Sequence, residues 1–263
     1  MNFAKKSLIT ILLFVIIFCK PVLAAPLNNR IVNCDKDELY VDRGDKKVVF
    51  LTFDDGPGRL SSKRILNILQ QKNVKASFFI VGENIKKDTV EVVEGLYESG
   101  MDIYPHCYDH HYDSLYKSEE SYFEDFNKYI NNTKGLVYKN KRFFVRLPGG
   151  SLNTYCRSDI LKSIKNRLEK GNVDYIDWNV SIGDAIGSNI SKEQLVDNVK
   201  KQGDIYRIAV VLMHDADYKS STIDALPEII DFYKGKGYSF KVLSEMTTQE
   251  YEYLKKVRVI NKK

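Results

Sequence analysis

The chain has 263 residues, 43% of them apolar and 29% charged, with a formal net charge of +5. That length suits one large domain or two small ones, and the apolar share is enough for a sizeable core. Charges of both signs are interspersed, which excludes wholesale disorder, and no basic stripe interleaved with aromatics points to nucleic acid.

Residues 1–24 read as a signal peptide. Lys5 and Lys6 precede a nearly unbroken apolar run from Ser7 to Cys19, and Val22-Leu23-Ala24 offers a cleavage site after Ala24. Lys20 and Pro21 end the run short of the ~20 residues a membrane-spanning helix needs, although an uncleaved anchor is the alternative. The bulky Phe18 before Cys19 argues against a lipid-modified cysteine. Without this segment the chain loses three lysines and no acids, and its charge falls to +2. Cys34, Cys107 and Cys156 remain, too few for a disulfide scaffold, and the sequence does not say whether any two pair.

Residues 25–46 read as a polar N-terminal arm. From Lys47 onward, short apolar runs alternate with amphipathic stretches. The runs at 48–53, 76–81, 101–104, 142–147, 175–180, 208–213 and 238–242 predict buried parallel strands. Helices are predicted over 61–72, over 88–98 before Gly100, over 118–131, after the capping box Ser191-Lys192-Glu193-Gln194, and over 222–234. Residues 247–263 read as a charged terminal helix or tail. Seven strands alternating with helices predict an α/β barrel or a doubly wound sheet.

Chemistry-bearing residues gather where predicted strands end. Thr52-Phe53-Asp54-Asp55-Gly56-Pro57 puts two adjacent carboxylates at a strand tip, which is costly unless something cationic lies beside them. The alternative is an Asp-Gly-Pro turn in which a carboxylate caps the loop. His106-Cys107-Tyr108-Asp109-His110 follows another strand. On a helical turn, His106 and His110 would share one face and offer two imidazoles to one metal, with Cys107 turned away as a packing residue. Imidazole and carboxylate ligands together suit Zn²⁺ first, then Co²⁺, Ni²⁺ or Fe²⁺. Arg146-Leu147-Pro148-Gly149-Gly150, Asp177-Trp178, Asp184 and Leu212-Met213-His214-Asp215 lie at or beyond further strand ends. In α/β barrels and sheets alike, that edge is where sites form. No His-Glu-x-x-His is present to suggest a metalloprotease.

With these residues in view, the chain resembles the NodB-type polysaccharide deacetylases, carbohydrate esterase family 4, over roughly 47–246. Five motifs occur in family order. The resemblance implies Asp54 as base, Asp55, His106 and His110 as metal ligands, and Arg146 as the group that orients the base. It implies His214 as acid and matches Asp184 to the Asp of the fourth motif. It also implies a single domain built as a distorted (β/α) barrel of about seven or eight strands. Two positions depart from the pattern: Gly149 where an aromatic is usual, and Ala185 where Trp is usual. Both shape the sugar groove in the family, and Gly149 still has a backbone N–H to give an oxyanion. The expectation is a secreted or extracytoplasmic, monomeric, metal-dependent N-deacetylase acting on an acetylated cell-wall-type polysaccharide, with no obligate protein partner. An O-acetyl esterase on acetylated glycan and an inactive glycan-binding pseudoenzyme are the alternatives.

Overall fold

The computed structural model describes residues 47–133, 142–187 and 190–262. The predicted signal peptide, the N-terminal arm and Cys34 lie outside the described residues. The elements run β1 (Val48–Asp54), α1 (Ser61–Gln71), β2 (Ser77–Val81), α2 (Val90–Glu98), β3 (Asp102–Cys107), α3 (Tyr112–Leu115), α4 (Glu119–Asn132), β4 (Phe144–Val145), α5 (Ser158–Lys170), β5 (Asp174–Tyr175), β6 (Val180–Ser181), α6 (Lys192–Gln202), β7 (Ile208–His214), α7 (Ser220–Gly235), β8 (Ser239–Phe240) and α8 (Thr248–Lys256).

All the paired strands are parallel. One sheet runs β3-β2-β1-β7-β6 with β8 on the start of β1, and β4 pairs with β5 in a second. The ladders do not close into one continuous sheet, and single backbone bonds link or extend them. Arg146 N–H donates to Pro105 O (3.3 Å), joining β4 to β3, and Asn179 N–H donates to Val210 O (3.2 Å), joining the segment before β6 to β7. The result is a distorted barrel that is not fully closed. The single strand predicted over 175–180 is two short pieces, because its first half bonds to β4 and its second half to β7. The strands predicted over 142–147 and 238–242 likewise shrink to two-residue ladders.

Side-chain parity explains how such apolar strands make a site. Successive residues of a strand point to opposite faces. Val49, Leu51 and Phe53 of β1 pack outward with Ile65 and Leu69 of α1 and Leu226 and Ile230 of α7. Val48 and Phe50 pack inward with Phe79, Tyr104, Phe144, Ile176, Ile208 and Val210, one or two from each side of the ring. The interior is therefore a filled core, as expected for a barrel of this size. The same inward parity, carried one layer up, reaches Thr52 and Asp54 on β1, His106 on β3, Arg146 just past β4 and His214 on β7.

The bottom of the interior is closed by the C-terminal segment. Tyr251 and Leu254 of α8, with Val259 and Ile260, join the inward cluster, and Ile260 bridges to Ile176. Residues 247–262, within the segment predicted as a charged helix or tail, thus contain helix α8 and pack into the core. Helix α5 is absent from the sequence prediction. Its stripe of Leu161, Ile164 and Leu168 is thin among charges, and its N-cap Arg157 supplies no side-chain acceptor.

Candidate active site

β1 ends on Asp54, and the chain turns at once. Asp55 has φ +73°, a left-handed conformation that Asp tolerates better than most residues. That kink brings the Asp55 carboxylate to the rim, while Asp54, in regular strand geometry, stays inside. The turn is braced from below by buried Asp215, whose carboxylate accepts hydrogen bonds from Ser61 and Ser62 hydroxyls (2.5 Å each). A Cβ on Gly56 would meet Asp215 Oδ2 at 2.5 Å, so only glycine lets the turn lie against it. Burial pushes the Asp215 carboxyl up to about 6, against the two serine hydroxyls.

Asp54 faces the guanidinium of Arg146, which is fully buried. Arg146 Nη1 donates to Asp54 Oδ1 (2.9 Å) and to Thr52 Oγ1 (2.7 Å). Its Nε and Nη2 donate to the carbonyls of Ile176 and Asp177 (3.0 Å each), and the guanidinium lies 4.2 Å from the Phe79 ring centroid. The cation is thus held by backbone and ring, and it holds the carboxylate in turn.

Asp55 lies between two imidazoles. Its Oδ1 is 3.5 Å from His106 Nε2 and 3.4 Å from His110 Nε2. Two ligand atoms at ~2.0–2.1 Å from one ion in tetrahedral array stand about 3.3 Å apart, so these separations suit donors to a common metal. His106 Nδ1 is 2.7 Å from the Arg146 carbonyl oxygen, to which it can only donate. That fixes the tautomer and leaves the Nε2 lone pair free for a ligand role. Burial raises the Asp55 carboxyl, but the side chain of His106, then His214 and His110, outweigh it and hold it well below the carboxylate range. His110 is lowered, by burial first and then by His106, which favours the neutral, ligating form. The donor set Asp55, His106 and His110 therefore fits a divalent metal.

The helical-turn geometry expected for His106 and His110 is not found. His106 is within β3 and His110 lies in the loop beyond it. They meet because the chain bends after the strand, not through an i, i+4 helix face. Cys107 is still a packing residue, for a different reason: strand parity sends it outward, where it is buried with Leu115, Tyr116 and Tyr122. Burial pushes its thiol well up, and both Cys107 and Cys156 are free. His111 points elsewhere, paired with Asp109 and exposed.

His214 is the register partner of Asp54 across β1 and β7. Its Nδ1 is 2.8 Å from Asp184 Oδ1, and its backbone N–H donates to Asp184 Oδ2 (2.8 Å). Thr222 Oγ1 also donates to Oδ2 (2.9 Å). Burial disfavours the imidazolium, but the bond to Asp184 and the charges of Asp184, Asp54 and Asp55 prevail and raise its pKa to about 9.

Gly149, past β4, is exposed with φ +77°, and its N–H makes no hydrogen bond among the described residues. Asp177 proves to be a brace: its carboxylate accepts from Ser151 N–H (2.9 Å) and Oγ (2.6 Å) and pins the loop that carries Gly149. Ala185 is exposed beside Asp184. The cleft next to Asp55 is further lined by Pro57, Arg59, Asn84 and Tyr218. Two nearby aromatics, Tyr112 and Tyr155, carry no signal in the sequence, because both are loop or short-helix residues with no periodicity to flag them.

The rim of this incompletely closed parallel barrel thus gathers a buried Asp–Arg pair, an Asp–His–His donor set and an Asp–His pair. Residues 42–165 match the family model for polysaccharide deacetylase. The chain belongs to the polysaccharide deacetylase family. It is 32% identical over 214 residues to a peptidoglycan-N-acetylglucosamine deacetylase of Bacillus cereus, covering 76% of this chain and 71% of that protein. A bifunctional xylanase/deacetylase of Pseudobutyrivibrio xylanivorans is also 32% identical, over 209 residues, but this chain spans only 30% of its length. Among solved structures, the catalytic domain of a peptidoglycan N-acetylglucosamine deacetylase from Eubacterium rectale superposes with TM-score 0.69 at 33% identity, covering 78% of this chain and 90% of that one.

Proposed function

We propose that this protein hydrolyses N-acetyl groups of a cell-wall-type polysaccharide, peptidoglycan N-acetylglucosamine foremost, to free amine and acetate. The observation that carries the reading is the convergence on one rim of an Arg-held carboxylate, a three-donor metal set and a carboxylate-held imidazole. A divalent metal, Zn²⁺ foremost, held by Asp55, His106 and His110 would supply Lewis acidity towards the acetyl oxygen and make a nearby water easier to deprotonate.

The remaining work falls to the chain's own groups. Asp54 takes the proton from the attacking water, and Arg146 keeps Asp54 ionised and aimed. The exposed Gly149 N–H donates to the oxygen that gains charge as the carbonyl becomes tetrahedral. His214 gives a proton to the departing amine. Its Nδ1 is engaged by Asp184, so Nε2 is the nitrogen left to donate. An amine anion is a very poor leaving group, so a base and an acid that are register neighbours suit an amide. Residues 1–24, which read as a signal peptide, support secretion to the wall side; the protein is proposed to act as a monomer.

The test is acetate release from N-acetylated chitooligosaccharide and from purified peptidoglycan, before and after chelation and after Zn²⁺ is restored. Metal-dependent acetate with a matching gain of free amine is expected. Acetate from O-acetylated xylan alone would make the protein an esterase, and none from any of these, with glycan still bound, would make it a binding protein.

A further inference from the structure

Tyr155 is 64% exposed, among the most exposed large apolar side chains of the described residues, and one ring, Tyr112, separates it from the donor His110. One face of its ring is covered. Tyr155 and Tyr112 stack with centroids 4.1 Å apart and planes 8° from parallel. Tyr112 in turn meets the His110 ring edge-on at 5.2 Å. A chain of three rings therefore leads from the donor set outward, ending on the uncovered face of Tyr155.

The loop that presents this ring is fixed rather than loose. Asn153 N–H and Nδ2 both donate to Gly150 O, and Asn153 Oδ1 accepts from Cys156 N–H (3.0 Å). Asp177 anchors the same loop through Ser151, and Cys156 is buried. Gly149 completes the seat. A Cβ there would meet Asn153 Cβ at 3.0 Å and Tyr155 Cδ2 at 3.2 Å, so the missing side chain leaves room for the Tyr155 edge. The structure pins an apolar face in water one ring beyond the His110–Tyr112 contact, and a fixed exposed ring is suited to a ligand with a flat apolar face.

We infer that Tyr155 is a substrate-positioning residue whose open face stacks on a pyranose ring of the bound glycan, next to the sugar that presents its acetyl group. This rests on the deacetylase reading for the identity of the glycan. The axial C–H groups of a pyranose carry partial positive charge and meet the negative face of the aromatic ring, while the sugar hydroxyls stay in water. The Tyr155 hydroxyl has no part in it, so the ring alone carries the effect.

The test uses the full zinc-loaded protein and penta-N-acetylchitopentaose, with two readouts: the dissociation constant by calorimetry and acetate release. Tyr155→Ala and Tyr155→Leu should each weaken binding about five- to tenfold, the size of an aromatic stacking contact. Tyr155→Phe and Tyr155→Trp should stay within about twofold. In turnover, KM should rise more than kcat falls. Leu keeps the apolar bulk and guards against a loop that fails to form with Ala. Unchanged affinity in Ala and Leu while the unmutated protein still releases acetate would overturn the stacking role and leave the deacetylase reading intact. Binding without acetate release would sink the deacetylase reading, and the affinity comparison would still decide the stacking. Neither binding nor release by the unmutated protein would overturn both.

Discussion

Replacing Arg146 by Met removes the guanidinium that is hydrogen-bonded to Asp54 and keeps most of the side chain's volume. Arg146 is wholly buried and its guanidinium donates to the Asp54 carboxylate, the Thr52 hydroxyl and the carbonyls of Ile176 and Asp177. Breaking a buried ion pair from one side costs about 3–5 kcal/mol, because the remaining charge is left without compensation. Orphaned carbonyls lie within that figure, at about 1–3 kcal/mol for each group left unsatisfied. Urea unfolding of the chelated protein should show that loss for Arg146→Met, and thermal unfolding should drop by about 6–20 °C for a domain of this size. Adding Asp54→Asn to Arg146→Met removes the stranded charge, so the double variant should be more stable than Arg146→Met alone by ~1 kcal/mol or more. It should not recover fully, since the two carbonyls remain without their donors. A cost below ~1 kcal/mol for Arg146→Met, or a double variant no more stable than the single one, would refute this account of the pair.

Asp54→Asn should retain bound zinc by elemental analysis and lose at least about a hundredfold in turnover, whereas His106→Ala should lose the metal along with activity. The folded His214 keeps its proton up to about 9, against 6.5 when unfolded, so its stabilisation is complete below 6.5 and is lost as pH climbs through 9. The urea midpoint of the chelated protein should fall across that window, and Asp184→Asn should flatten the fall. Gly149→Ala should cost about 1–2 kcal/mol in chemical denaturation, since its φ of +77° is left-handed and the new Cβ is crowded by Asn153 and Tyr155.

Much of this site is legible in the chain because polar residues are conspicuous at the ends of apolar runs. Asp54, His106 and His214 each stand at a strand's C-terminal end, and Asp55 and Arg146 lie just past one. The parity that makes them converge is hidden, however. Both faces of β1 are apolar, so Val48 and Phe50 inward look no different from Val49 and Leu51 outward, and the alternation becomes readable only at Thr52 and Asp54. The bend that brings His110 back to His106 is set by tertiary packing, and a His-x-x-x-His spacing alone suggests a helix instead. Ladders such as β4, β5 and β8 are shorter than their apolar runs, because hydrophobicity reports burial and not which neighbour supplies the hydrogen bonds. Tyr155 left no trace at all: a ring on a loop gains meaning only from what it lies against.

The column Val48, Phe50, Thr52, Asp54 has a consequence for how this protein can change. Hydrocarbon at its foot and reactive carboxylate at its head occupy successive rungs of one side of a single strand. Inserting or deleting one residue in β1 would exchange the two sides, sending Asp54 among the helices and Phe53 into the cleft. The polar groups of the rim are thus locked in step with the packing, and their position cannot drift without unmaking the fold. The loops after β4 and β7 are under no such constraint. They hold Leu152 and Tyr155 on one side and Ala216 and Tyr218 on the other, and residues there can be traded without shifting a strand. New sugars, longer chains or different linkages would be accommodated there, by rewriting the walls while the floor stays as it is.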